Sequence, residues 1–127
     1  RFNANDIGPT SRVTMGIKGM NLKADDNVVA MLPVRHETDK LAIFSDAGLG
    51  KKMDLTELPV QKRGGKGLIC YKNGGVTCGA LVEDADNLLV MGNLSNICIS
   101  ATEIPLLGRP SVGNQILKGK IVSVSKV

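Results

Sequence analysis

The sequence repeats itself along its length, and this repetition restricts the possible folds more than any other feature. An acidic residue, an apolar residue, an arginine and a glycine recur in one register, as Asp6-Ile7-x4-Arg12-x3-Gly16, Glu57-Leu58-x4-Arg63-x3-Gly67 and Glu103-Ile104-x4-Arg109-x3-Gly113. The second arginine follows the first by 51 residues, and the third follows the second by 46. Repeats of this length predict an array of small stacked modules rather than one continuous core.

We place the module boundaries so that residues 1–16 end one repeat, 17–67 and 68–113 form two repeats, and 114–127 begin another. After each glycine come an apolar stretch (17–20, 68–71, 115–117), a β-branched run (28–32, 76–82, 121–124) and an acidic turn that leads into another apolar strand (39–44, 86–91). Fifteen glycines supply turns between such segments, and no window has the apolar spacing of a helix. The sequence therefore predicts an all-β fold of propeller-like blades, each with about four antiparallel strands.

The net charge of +4 is concentrated in the middle of the chain. Between residues 47 and 82 only two acidic residues oppose six cations, which are Lys51, Lys52, Lys62, Arg63, Lys66 and Lys72. A local positive field of this kind predicts a polyanionic partner. Aromatic residues make up 2% of the chain, too few to stack the bases of a single strand, so the composition favours a duplex held by its phosphates.

Seven residues of the second repeat combine three cations with three glycines; these residues, 61–67, are here called the box, and they read Gln61-Lys62-Arg63-Gly64-Gly65-Lys66-Gly67. Glycine allows backbone with positive φ and close approach to a ligand, and exposed N–H groups can donate to phosphate oxygens. The cations would supply charge, with Arg63 able to make a forked contact. The box is not a nucleotide-binding P-loop, because no hydroxyl residue follows its lysine and no helix is indicated.

The box resembles the motif Q-[RK]-R-G-G-[RK]-G that marks the C-terminal domain of the DNA gyrase A subunit. Residues 10–19 and 103–109 are similar to that domain as well, so the resemblance covers nearly the whole chain. It implies a β-pinwheel, a propeller-like ring whose blades exchange strands, of which this chain would form a partial ring. It also implies that duplex DNA bends around a basic rim and that this wrapping supports negative supercoiling by the parent ATP-dependent type IIA topoisomerase.

The resemblance makes the box the main DNA contact. Arg12, Lys18 and Arg109 in the degenerate copies would extend the track, and Lys51 and Lys52 would add charge one strand earlier. The Gly-Gly pair and the second lysine are absent from those copies. Two alternatives stay open: the related domain of the topoisomerase IV A subunit, which would present DNA for decatenation or relaxation, and a propeller-type module that binds an acidic protein.

Nothing in the sequence indicates a catalytic site. His36 is the sole histidine and lies in a polar stretch, Tyr71 is interpreted as strand packing, and the sequence has no nucleophile–base pattern. Cys70, Cys78 and Cys98 form no C-x-x-C pair, so we expect no metal site and read them as small buried side chains of a reduced protein. The five methionines are expected to fill gaps between blades.

The context of the chain is also an expectation. It begins without Met and has no apolar leader or membrane span, so we expect a piece of a longer protein. The resemblance implies that this protein is bacterial, cytoplasmic and nucleoid-associated. The resemblance implies no cofactor in this piece, with ATP and Mg²⁺ bound by other domains of the parent enzyme. The expected partners are double-stranded DNA, the ATPase B subunit, and the rest of the A subunit.

Overall fold

A computed structural model describes residues 1–127, which form two compact units. The smaller unit consists of Arg1–Asn27 and Leu58–Leu68, and the larger unit consists of Val28–Glu57 and Ile69–Val127. No helix is long or apolar enough to cross a bilayer.

The larger unit is built from seven strands in two antiparallel sheets. The strands are β1 (Lys40–Ser45), β2 (Leu49–Asp54), β3 (Val76–Val82), β4 (Asn87–Gly92), β5 (Asn96–Ser100), β6 (Asn114–Gln115) and β7 (Ile121–Lys126). The four-stranded sheet has the order β3-β1-β2-β6, and the three-stranded sheet has the order β5-β4-β7. The predicted all-β class with small antiparallel blades is confirmed.

Neighbouring repeats exchange strands. The hairpin β1–β2 comes from residues 17–67, but its sheet is completed by β3, where Ala42 pairs with Ala80. The hairpin β4–β5 comes from residues 68–113 and is extended by β7, where Val90 pairs with Val124. Each hairpin thus uses a strand of the following repeat, as the resemblance to a pinwheel implied.

The core of the larger unit draws apolar side chains from both sheets. In β4 the side chains alternate, so that Leu88 and Val90 are buried whereas Asn87 and Met91 are exposed. In β1, which has strands on both sides, residues 42–45 are all buried. The cluster comprises Ala42, Phe44, Val82, Leu88, Val90, Ile99, Ala101, Ile104, Leu117 and Ile121.

The acidic residue of every repeat ends a three-residue 3-10 helix. These helices are Ala4–Asp6, Leu55–Glu57 and Ala101–Glu103. In the third, the Glu103 carboxylate accepts a hydrogen bond from the backbone N–H of Ser100 at 2.7 Å and completes a capping box. In the first 3-10 helix the cap is supplied by the Asn3 side chain, which accepts from the N–H of Asn5, so this capping role of the acidic residue is seen in the third repeat.

Three predicted strands are not formed. Residues 17–20, 28–32 and 68–71 lie outside every strand. Gly19 accepts one backbone hydrogen bond from Gly64, but none of the three runs forms the continuous ladder that a strand requires. Tyr71 is buried, but it lies in a loop rather than in the strand that we predicted.

The cysteine and methionine side chains are less buried than the sequence predicted. Cys98 is exposed, because it lies on β5 at the edge of its sheet, and Cys70 and Cys78 are only half-buried. Met53 alone among the methionines is buried; the other four are exposed and fill no gap.

Candidate nucleic-acid interface

The backbone of the box depends on its glycines. Gly64 and Gly67 have φ angles of 79° and 77°, in the left-handed region that glycine alone adopts without strain. Gly16 and Gly113, which stand at the position of Gly67 in the other repeats, have φ angles of 81° and 86°. The glycine of the repeat motif is therefore retained because each loop leaves its turn through a positive φ angle.

Three backbone hydrogen bonds within the smaller unit hold the box. The N–H of Gln61 donates to the Arg1 carbonyl at 2.9 Å, and the N–H of Gly64 donates to the Gly19 carbonyl at 3.0 Å. The N–H of Asn21 donates to the Gly65 carbonyl at 2.9 Å. These bonds join the box to Arg1 and to residues 19–21, so its loop is held to the rest of the smaller unit at three points.

Arg63 turns inward to the same unit instead of outward to solvent. Its Nη1 donates to the Lys18 carbonyl at 2.6 Å, and its Nε donates to the Asp6 carbonyl at 3.2 Å. The side chain is half-buried, and the edge that carries Nε is occupied. Arg63 therefore clamps the loop through Nε and Nη1, while its Nη2 has no partner within the chain and its phosphate contact stays a prediction.

Lys62 and Lys66 present the charge of the box to solvent. Both are exposed, as are Gln61 and Gly65, and neither lysine forms an ion pair. The N–H groups of Lys62 and Lys66 have no acceptor within the chain, whereas that of Gly65 belongs to the turn at residues 63–64. A phosphate oxygen can therefore receive hydrogen bonds from two ammonium groups and from adjacent amides, an arrangement typical of an anion-binding turn.

Lys51 does not contribute to an exposed surface. Its residue exposure is 0%, and its Nζ donates to the carbonyls of Gly108, Arg109 and Ser111 at 2.9, 2.9 and 2.6 Å. Burial lowers the pKa of this ammonium group, although the nearby Cys70 and Glu57 act against that shift. The three donors of the lysine satisfy three carbonyls of the loop that occupies the box position in the third repeat. The predicted DNA contact at Lys51 is corrected to a structural role.

Lys52 is buried as well. Its Nζ donates to the Ala101 carbonyl at 2.8 Å and lies 3.6 Å from the Asp84 carboxylate. The lysine thus joins β2 to the start of the third 3-10 helix. Its predicted DNA contact is corrected for the same reason: the ammonium group is used within the larger unit.

The three remaining predicted cations differ in exposure. Arg12 and Lys18 are exposed in the smaller unit. Arg109 is half-buried in the larger unit, where its Nε lies 4.0 Å from the Glu57 carboxylate without a hydrogen-bond partner. Arg12 and Lys18 keep their place in the candidate interface, whereas the charge of Arg109 is partly compensated by Glu57.

Sequence reasoning missed the acceptors that shape the interface. The carbonyls of Asp6, Lys18 and Gly19 hold the box, but every residue carries a carbonyl group, so no residue pattern marks the ones that are used.

Comparison with known proteins gives a consistent picture. The family model described as DNA gyrase C-terminal domain, beta-propeller, matches residues 1–35 and 39–81. The chain is 35% identical over 125 residues to the DNA gyrase A subunit of Lawsonia intracellularis and 34% identical over 134 residues to that of Borreliella burgdorferi. The two matches include 93% and 98% of this chain, which spans only 15% and 16% of the relatives' length.

Two solved structures have the same fold. A DNA gyrase A C-terminal domain matches 98% of this chain and 45% of its own length with a TM-score of 0.89 and 32% identity. A C-terminal domain of DNA topoisomerase IV matches 99% of this chain and 42% of its own length with a TM-score of 0.92 and 24% identity. The latter likeness concerns the fold alone, since its sequence identity is low.

Proposed function

This chain belongs to the DNA gyrase C-terminal domain family, and we propose that it binds and bends double-stranded DNA through the exposed face of the box. The observation that carries the proposal is the pairing of exposed Lys62 and Lys66 with unoccupied amides on a loop fixed by three backbone hydrogen bonds. Such a loop recognises phosphates rather than bases, so binding is expected to show little sequence preference.

In the enzyme that contains this chain, the bound duplex would wrap along the cations of successive repeats. Wrapping would present a crossing segment to the ATP-driven machinery and so support negative supercoiling. The chain itself would be noncatalytic, would bind no cofactor, and would act in the bacterial cytoplasm with the ATPase B subunit and the rest of the A subunit. Gyrase is favoured over topoisomerase IV because the sequence identity to gyrase proteins is the higher of the two.

The test is a salt titration of duplex binding with the 127-residue chain. For Lys62→Ala/Lys66→Ala we expect the slope of log K against log salt to fall by about two, because each lost phosphate contact removes roughly one released counterion. Binding to unrelated duplex sequences should weaken equally. The matched control is Lys118→Ala/Lys120→Ala, which removes the same charge from two other exposed lysines.

Two outcomes would contradict the proposal. An equal loss of slope in both variants would mean that net charge, rather than the box, governs binding. Tighter binding of the parent chain to poly-glutamate than to a duplex of the same charge would favour an acidic protein partner. In the whole enzyme, the box variant should lose supercoiling and keep relaxation; loss of both would indicate misfolding or a different role.

A further inference from the structure

The loop at the box position of the first repeat carries two exposed apolar side chains. In the repeat register, Val13 corresponds to Gly64 and Met15 corresponds to Lys66. The exposures of Val13 and Met15 are 87% and 104%, so neither side chain is covered by the rest of the chain. An apolar pair thus occupies the place where the box presents a phosphate-binding lysine.

This loop is a built turn. Thr14 donates to the Ser11 carbonyl through its backbone N–H at 3.1 Å and through its Oγ1 at 2.7 Å. Gly16 leaves the turn with a φ angle of 81°, close to the 77° of Gly67 in the box. The turn therefore holds Val13 and Met15 on either side of Thr14 at its tip.

The same segment is anchored to the box. Lys18 accepts the hydrogen bond from Arg63, and Gly19 accepts the one from Gly64. Lys18 follows Met15 by three positions, and an extended backbone of that length spans at most about 10 Å. This distance equals about three base-pair steps of a duplex, so one DNA segment can meet both loops.

The charges around the tip indicate what covers it. Arg12 and Lys18 flank the two apolar side chains and are exposed, and residues 7–24 contain no acidic residue. Apolar side chains bordered by cations suit an occupant with anionic edges and a less polar floor. The minor groove of a duplex is bordered by phosphates, and DNA-bending proteins insert apolar side chains such as Met, Leu, Ile, Phe or Pro between base steps there.

We propose that Val13 and Met15 form an apolar wedge that enters the minor groove of the DNA bound by the box and partly unstacks one base step. The proposal rests on the proposed function and extends it. Pyrimidine–purine steps such as TA unstack most readily, so the wedge would bias the bend toward them while the phosphate contacts stay independent of sequence. The first repeat would then set where the duplex bends, and the box would supply most of the affinity.

The test uses the 127-residue chain and a duplex with 2-aminopurine at a single TA step, whose fluorescence rises when that base unstacks. The parent chain should raise the fluorescence, and Met15→Ser should abolish the rise. Met15→Ser should also weaken binding about fivefold, since part of one methionine's buried apolar area is lost, without changing the salt slope. Met31→Ser, which alters another exposed methionine, should match the parent.

The outcomes separate this proposal from the function beneath it. No fluorescence rise with the parent chain, or equal binding and fluorescence for Met15→Ser and Met31→Ser, would overturn the wedge while duplex binding stands. Self-association of the parent chain in sedimentation that Met15→Ser abolishes, with DNA binding unaltered, would overturn it in favour of a protein contact. Failure of the parent chain to bind any duplex would instead remove the proposed function.

Discussion

Arg63 and Lys18 are joined by a 2.6 Å hydrogen bond from the guanidinium Nη1 to the backbone carbonyl oxygen. The residues are 45 positions apart, and the bond fixes the box against the segment that follows the first repeat's loop. The arginine of the repeat motif therefore organises the loop on which the lysines lie. Its position in the sequence, between two candidate phosphate ligands, concealed this role.

Replacing this arginine should loosen the box without removing its main phosphate contacts. For Arg63→Ala we expect a loss of about 1 kcal/mol in the free energy of unfolding, because two hydrogen bonds from a half-exposed charged group disappear. Hydrogen exchange at the amides of Gly64 and Asn21, which donate across the loop, should accelerate about tenfold. Exchange mass spectrometry with a parallel salt titration measures both effects.

Arg63→Lys is the control for this variant. It keeps the charge but replaces a planar fork with a single ammonium group, so the exchange protection should return only in part. A salt slope that falls by about one in Arg63→Ala, with unchanged exchange at both amides, would mean that Arg63 contacts phosphate and does not act as a clamp.

The repeated sequence pattern predicted four of the seven strands and missed β2 and β5, which are paired as well. The runs that became β1, β3, β4 and β7 were predicted correctly because short apolar, β-branched runs bounded by turn residues are typical of buried strands. The run at 28–32 has the same composition but no neighbouring strand, and pairing is a property of two segments that one segment cannot reveal.

The candidate site was predicted less well than the fold. Lys51 and Lys52 were read as surface charge because lysine is seldom buried. Lys51 is buried because three carbonyls, 57–60 residues later in the chain, accept hydrogen bonds from its ammonium group, and residue types do not reveal such acceptors. The glycines of the box were expected to allow positive φ; Gly64 and Gly67 adopt it, whereas Gly65 does not.

Three glycine substitutions should separate stability from binding. Gly67→Ala should lower the free energy of unfolding by about 1–2 kcal/mol, since its φ angle is 77° and a Cβ would lie 3.0 Å from the Met20 methyl group. Gly16→Ala has the same backbone strain with open space around the Cβ, so its cost should be about 1 kcal/mol. Thermal or urea unfolding gives these values.

Gly65→Ala is the matched case without backbone strain. Its φ angle is not positive, and a Cβ would stand 3.5 Å from the Lys62 carbonyl, an ordinary contact. Stability should change by less than about 0.5 kcal/mol, while duplex affinity falls because a methyl group now covers the exposed face of the loop. Unchanged affinity in a stable Gly65→Ala chain would show that DNA does not approach this face.

Asp86 should make stability depend on pH in the acidic range. The Glu83 backbone N–H donates to its carboxylate at 2.9 Å, and this bond, together with Lys126 at 3.2 Å, lowers the pKa of Asp86 from its ordinary value. A carboxyl group with a lowered folded-state pKa contributes stability above its unfolded pKa and loses that contribution as the pH falls through the folded value. The urea midpoint should decline below about pH 4, and Asp86→Asn should remove part of that decline. An identical acid profile in both chains would exclude this contribution.

Substitutions of Lys51 and Lys52 test whether these two buried lysines stabilise the fold without contacting DNA. Lys51→Met should lower the free energy of unfolding by about 3 kcal/mol, because three carbonyls lose their donor at once. Lys52→Met should have a smaller effect, since its ammonium group bonds one carbonyl and faces an exposed carboxylate. Both variants, assayed at a temperature where they are folded, should bind duplex with the parent's salt slope. A slope reduced by about one in folded Lys51→Met would place its charge against phosphate and contradict the buried position.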